Sequence, residues 1–90
     1  MSGSFNVVWD RIARLAGSQF KTKTGLEFTY IVDIKAFYPS RTKYRISKAD
    51  FEVAYKFVPC DGPGVLNETV RGSSYIWAVL HDSRIRLSEW

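Results

Sequence analysis

The side chains in this sequence best placed to do chemistry are cationic. Seven of its thirteen lysines and arginines (Lys21, Lys23, Lys35, Arg41, Lys43, Arg45 and Lys48) lie in one stretch that holds only two acids, Glu27 and Asp33. Arg41, Lys43 and Arg45 are spaced two apart, so on an extended strand they project from one face like a comb. A row of cations suits a phosphate backbone, where each contact releases condensed counterions and makes binding salt-dependent. Tyr38 and Tyr44 flank or interrupt the comb and offer rings on which bases can stack. The same residues have a plainer use, as charge that keeps a sheet edge in water and blocks edge-to-edge pairing. The pattern points to nucleic acid, DNA ahead of RNA, contacted through Lys21, Lys23, Lys35, Tyr38, Arg41, Lys43, Arg45 and Lys48. The net charge of +4 permits such a partner. An acidic protein surface would answer the same charge.

Catalytic chemistry has less to work with. The single histidine, His81, sits beside Asp82, and the single cysteine, Cys60, lies in a different segment, with no motif around either. A hydrogen-bonded structural histidine is the simpler reading. One histidine and one cysteine would need carboxylates to complete a zinc site, so no metal is expected. The nine acids are scattered without the spacing of a paired acid and base, and no glycine pattern matches a phosphate-binding loop. The expectation is a non-enzymatic protein without a cofactor.

A second candidate surface is the 59–74 segment, whose three glycines and two prolines break any regular period. Loops of that length are often functional or mobile. With Phe37, Tyr38 and Trp90 as exposed aromatic anchors, it would make an adaptor or inhibitor that docks on another protein. Asn67-Glu68-Thr69 matches a glycosylation sequon but reads as chance.

The elements that must position these residues follow from periodicity. Phe5, Val8, Trp9, Ile12, Leu15 and Ala16 share one face of a helix over 5–16, capped by Ser4 and stopped by Gly17. From Gln19 the period becomes two. Residues 19–22 form the first arm of a hairpin closed by Lys23-Thr24-Gly25, and 26–34 form a long alternating strand. Residues 36–40, with Pro39, read as a loop leading to the 41–46 strand. Ser47 then caps a helix that carries Phe51, Ala54, Tyr55 and Val58 on one stripe, widened by Val53 and Phe57, and Pro59 ends it. That helix is mostly buried and lacks the long polar face of a DNA-reading helix. Residues 75–81 are apolar on both sides and read as a central strand, with Ile85 and Leu87 on a short returning edge strand that points Arg84 and Arg86 outward.

The order is α-β-β-β-α-β-β. It implies an α+β domain over 1–90, with a mainly antiparallel sheet of four to five strands and two helices packed on it. A winged helix, with the basic hairpin as its wing, is the alternative. Ninety residues, 46% hydrophobic and 16% aromatic, suffice for one small core. No apolar run reaches the roughly 20 residues that span a bilayer, and the N-terminal residues lack a charged then apolar leader, so no membrane partner is expected. With one cysteine and hence no internal disulfide, the expected compartment is the cytoplasm.

Overall fold

The structure, a computed structural model, describes residues 5–67 and 69–90. The expected Ser4 cap and the centre of the sequon, Glu68, lie outside the described residues. Helix α1 spans Phe5–Arg14 and buries Phe5, Val8, Trp9 and Ile12, the apolar face that the spacing requires. Asp10 and Arg14 pair at 2.9 Å on its exposed side. Gly17 then takes φ +90°, a left-handed conformation that reverses the chain, and its N–H donates to the Tyr30 carbonyl at 2.9 Å.

The expected hairpin forms. Strand β1, Phe20–Lys21, pairs antiparallel with β2, Glu27–Phe28, with Phe20 opposite Phe28 and Lys21 opposite Glu27. Gly25 supplies the positive φ in the turn, and Thr22 Oγ1 accepts the Leu26 N–H at 3.1 Å. The long strand over 26–34 does not run through as one element. It ends β2 at Phe28 and resumes as β3, Tyr30–Val32, in a second sheet. There β4, Ala36–Pro39, is the central strand, pairing β3 on one side and β5, Ile46–Ser47, on the other. The five strands therefore divide into an antiparallel pair and an antiparallel triplet rather than one sheet of four or five.

Two expectations about these strands are corrected. Of residues 36–40, Ala36–Pro39 are a central strand, not a loop, and only Ser40 is turn; Pro39 sits opposite Tyr30 at the strand end, where no ladder donor is needed. Residues 41–46 are mostly turn, and only Ile46 pairs. The chain needs that stretch to cross from the end of β4 back to β5, so its alternation serves no ladder.

Helix α2, Lys48–Tyr55, starts where expected: Ser47 Oγ accepts the Asp50 N–H at 3.1 Å. Phe51 and Ala54 are buried, while Phe57, beyond the helix end, is 48% exposed. The burial is thus narrower than the stripe suggests. The 59–74 segment is not structureless. It carries a 3-10 turn, Pro63–Leu66, and buries Leu66 and Val70.

The C-terminal third departs most from expectation. Residues 75–81 form no strand; Ser73–Leu80 is helix α3, and Ile85 lies on the short helix α4, Ser83–Arg86. Apolar residues on both faces fit a strand covered on two sides, but equally a helix surrounded by neighbours. Helix α3 packs against the 3-10 turn, α2, α4 and β1, and buries Ile76, Ala78, Val79 and Leu80. Asp82 acts as the cap of α4, its Oδ1 accepting the Arg84 N–H at 2.9 Å. The result is a small α+β domain of two antiparallel sheets and four helices among the described residues. The winged-helix alternative does not describe it, since all five strands lie between α1 and α2.

One core joins these elements. A chain of ring contacts runs from Phe28 through Phe20, Tyr30, Phe37, Phe51, Trp9, Phe5 and Tyr55 to Trp90. It threads both sheets, α1, α2 and the C-terminal segment. Tyr30, fully buried, donates its hydroxyl to the Ile12 carbonyl at 2.7 Å, and burial raises its pKa well above the ordinary phenol value. Trp90 is pinned by its Nε1–H to the Leu80 carbonyl at 2.7 Å, and Arg11 forks onto Glu89 at 2.7 and 2.8 Å.

Candidate nucleic-acid interface

The structure gathers three of the eight residues proposed from sequence. Lys35, Arg45 and Lys48 line one shallow depression of about 420 Å³ with Ser47, Ala49 and Glu52. They come from three segments: the β3–β4 turn, the loop before β5 and the first residue of α2. Asp33 builds that turn. Its Oδ1 accepts the N–H groups of Lys35 and Ala36 at 2.9 and 2.8 Å, and its Oδ2 accepts the Tyr38 hydroxyl at 2.8 Å. The Lys48 N–H donates to the Lys35 carbonyl at 2.7 Å and ties the turn to the start of α2. The carboxyl of Asp33 is held below its ordinary range, first by the Lys35 N–H, then by the Tyr38 hydroxyl and Ala36 N–H, with Arg45 nearby adding to the effect.

The remaining cations are placed differently. Arg41 and Lys43 are exposed on the 41–45 loop but do not form a comb, because that loop is not a strand. Arg41 makes only a long contact, 3.4 Å, to the Glu27 carbonyl. Lys21 faces Glu27 at 4.0 Å on the hairpin. Lys23 is drawn elsewhere, donating to the Asp61 carbonyl and lying over the Trp77 ring at 5.7 Å. Of the three in the depression, Lys48 is partly engaged, with its ammonium 3.2 Å from Asn6 Oδ1 and 5.9 Å from the centre of the Trp9 ring. Tyr38 is half-buried and committed to Asp33, whereas Tyr44 is 39% exposed.

Two residues of this surface escape the sequence reading. Arg71 lies over Tyr44, its guanidinium carbon 5.4 Å from the ring centre. No spacing rule links positions so far apart. Ile34, placed by its alternation at the end of the 26–34 strand, stands 84% exposed at the turn beside Lys35 and Arg45. Here a signal existed: an aspartate that can accept its own following N–H groups marks a turn.

The aromatic anchors suggested for a protein-docking surface are largely withdrawn into the core. Phe37 has no exposed surface, and Trp90 is half-buried and hydrogen-bonded.

The Cys60–His81 region is a structural clasp. His81 Nε2 accepts the Cys60 backbone N–H at 3.1 Å, so the proton sits on Nδ1, which donates to the Trp77 carbonyl at 2.9 Å. Trp77 Nε1–H in turn donates to the Cys60 carbonyl at 3.0 Å, and its ring stacks on His81 at 4.5 Å. Both imidazole nitrogens are thus engaged with backbone, and the thiol points to the Gly62 carbonyl at 3.6 Å. Burial, with the Arg86 charge adding to it, lowers the His81 pKa. The unfolded chain therefore binds a proton more readily there, and stability is present above about pH 6.5 and lost as pH falls toward the lower folded value. His81 is the chain's one histidine, and the lowered carboxyls of Asp33, Asp82 and Glu89 act at more acidic pH. Urea midpoints should thus fall between pH 7 and 5, and His81→Gln should flatten that dependence. An unchanged slope in the variant would contradict the clasp.

Among the described residues, no group of three or more histidine, cysteine, aspartate or glutamate side chains gathers as a metal site would need. No described helix is long and apolar enough to cross a membrane. Comparison of the chain with protein families, with curated proteins and with solved structures finds no match.

Proposed function

We propose that the chain is a non-enzymatic nucleic-acid-binding module that contacts phosphates around the start of α2. The observation that carries this reading is the convergence of Lys35, Arg45 and Lys48 on one depression, with Arg41 and Lys43 exposed on the adjoining loop. None of Lys35, Lys43 and Arg45 has a salt-bridge partner among the described residues, so their charge is available to an anion. Glu52 lines the same depression and lowers its net charge without cancelling it. The Asp33 carboxylate is taken up by three hydrogen bonds from the turn it forms. Such a surface tracks a backbone rather than reading base edges, because among the described residues the exposed positions of α2, Ala49 and Glu52, make no long polar face for a groove. DNA is the first partner to test, ahead of RNA. A single cysteine and the absence of any expected disulfide fit a cytoplasmic setting.

The test is a salt titration of binding to labelled DNA and RNA. The parent should bind at low salt with a log–log slope of about 3 or more, since each phosphate neutralised contributes roughly 0.7–0.9. Replacing Lys35, Arg45 and Lys48 together by Ala should weaken binding and reduce the slope by about 2–3, while replacing Lys21 and Lys23 together should leave both nearly unchanged. Absence of binding at low salt, or an unchanged slope in the triple variant with its fold intact, would refute the proposal.

A further inference from the structure

Tyr44 stands in the middle of the basic loop, partly exposed. Among the described residues only Tyr44 and Phe57 are exposed aromatics, at 39% and 48%, the others being buried or half-buried. Phe57 follows α2 at the end remote from Lys48, whereas Tyr44 is flanked directly by Lys43 and Arg45, both exposed. The other described tyrosines have engagements of their own. Tyr30, Tyr55 and Tyr75 pack on rings, and Tyr38 gives its hydroxyl to Asp33. Tyr44 has no ring partner among the described residues; its neighbour is the exposed Arg71 guanidinium, over the ring at 5.4 Å. An aromatic surface left open between cations, with a second cation already over it, has the composition of a stacking platform for a base whose phosphates the cations hold.

We infer that Tyr44 stacks an unpaired base and that single-stranded nucleic acid is the substrate class of this interface. The inference rests on the phosphate-binding reading given above. It follows from geometry: a base inside a duplex has both faces covered by its neighbours, so a ring in a loop can stack only on a base that is already unpaired or has been extruded. Among the described residues, no helix beside the loop presents a polar face long enough to enter a duplex groove. The exposed positions of α2, Ala49 and Glu52, followed by Lys56 just beyond it, include neither a bidentate arginine nor an amide reader. Arg71 would remain over the ring or turn to a phosphate, and in either role it strengthens the same contact.

The experiment compares a labelled single-stranded oligodeoxynucleotide, an RNA strand of the same sequence and the corresponding DNA duplex, with the parent, Tyr44→Ala and Tyr44→Phe. Tyr44→Ala should weaken binding of the single strand about 5- to 150-fold, the range of one lost base stack, with its salt slope unchanged. Tyr44→Phe, which keeps the ring, should stay within about twofold of the parent. Duplex binding should be weaker and should not respond to either change. A loop residue exposed to this degree is not needed for the core, and thermal melts of both variants should match the parent. If duplex and single strand bind alike with steep salt dependence and Tyr44→Ala changes nothing, the inference is overturned while the phosphate reading stands. If no nucleic acid binds at low salt but polyglutamate does, both are overturned and the surface belongs to an acidic protein partner.

Discussion

Phe37→Ala should remove most of the folding stability of this chain. The residue has no exposed surface and occupies the middle of the aromatic chain, with ring centres 4.4 Å from Tyr30 and 4.8 Å from Phe51. It lies on the central strand of the three-stranded sheet, opposite Val32 on one side and Ile46 on the other. Truncating a phenylalanine in such a place costs about 3–5 kcal/mol, because the lost transfer energy is joined by a cavity that the neighbours cannot close. A domain of this size has a total stability of about 5–10 kcal/mol, so the variant should unfold at a small fraction of the parent's urea midpoint. Phe57→Ala is the control. With nearly half its surface in water, at 48%, it should cost no more than about 1 kcal/mol. Similar losses for the two would contradict the position of β4 at the centre of the core.

The contrast between these two phenylalanines marks where sequence patterns informed and where they misled. Elements defined by local chemistry were legible. Helix α1 follows from its apolar spacing, the β1–β2 hairpin from Gly25, and the start of α2 from the Ser47 cap. Elements defined by their neighbours were not. Phe37 and Tyr38 beside Pro39 resembled a loop, because nothing local tells a central strand from a connector when its partners lie at Ile31 and Ile46. The 75–81 stretch reads as a strand because apolar residues on all sides carry no period, and only the crowd of elements around α3 decides its form. The candidate interface shows the same division. Its charge was legible from composition, but the comb depended on a strand that does not form. The three cations that do converge are brought together by the Asp33 turn and the pinning of α2 to Lys35. Chemistry was therefore readable residue by residue, and geometry only where one segment sufficed to set it.

Gly72 is a position where both levels meet, and Gly72→Ala should be nearly as damaging as the loss of Phe37. The residue begins α3 with φ +72°, in the left-handed region that side chains other than glycine enter at a cost of about 1–2 kcal/mol. Space is short as well. A methyl group there would lie 2.4 Å from Cδ1 and 2.9 Å from Cγ1 of Ile46, a side chain with no exposed surface. Ile46 is held in β5 against Phe37 and cannot withdraw without disturbing the central strand, so overpacking adds about 1–3 kcal/mol. The combined loss of about 2–5 kcal/mol should appear as a lower urea midpoint with loss of cooperativity at the α3 end of the core. Gly64→Ala supplies the comparison. Its backbone has no positive φ and a methyl group there meets nothing within 4 Å, so it should be neutral or slightly stabilising through a less flexible unfolded chain. Adding Ile46→Val to Gly72→Ala separates the two causes. The smaller side chain should return part of the overpacking term and none of the backbone term, so the double variant should be less unstable than the sum of the single changes. Strict additivity would mean that the clash with Ile46 is relieved elsewhere and that the left-handed backbone alone sets the requirement for glycine.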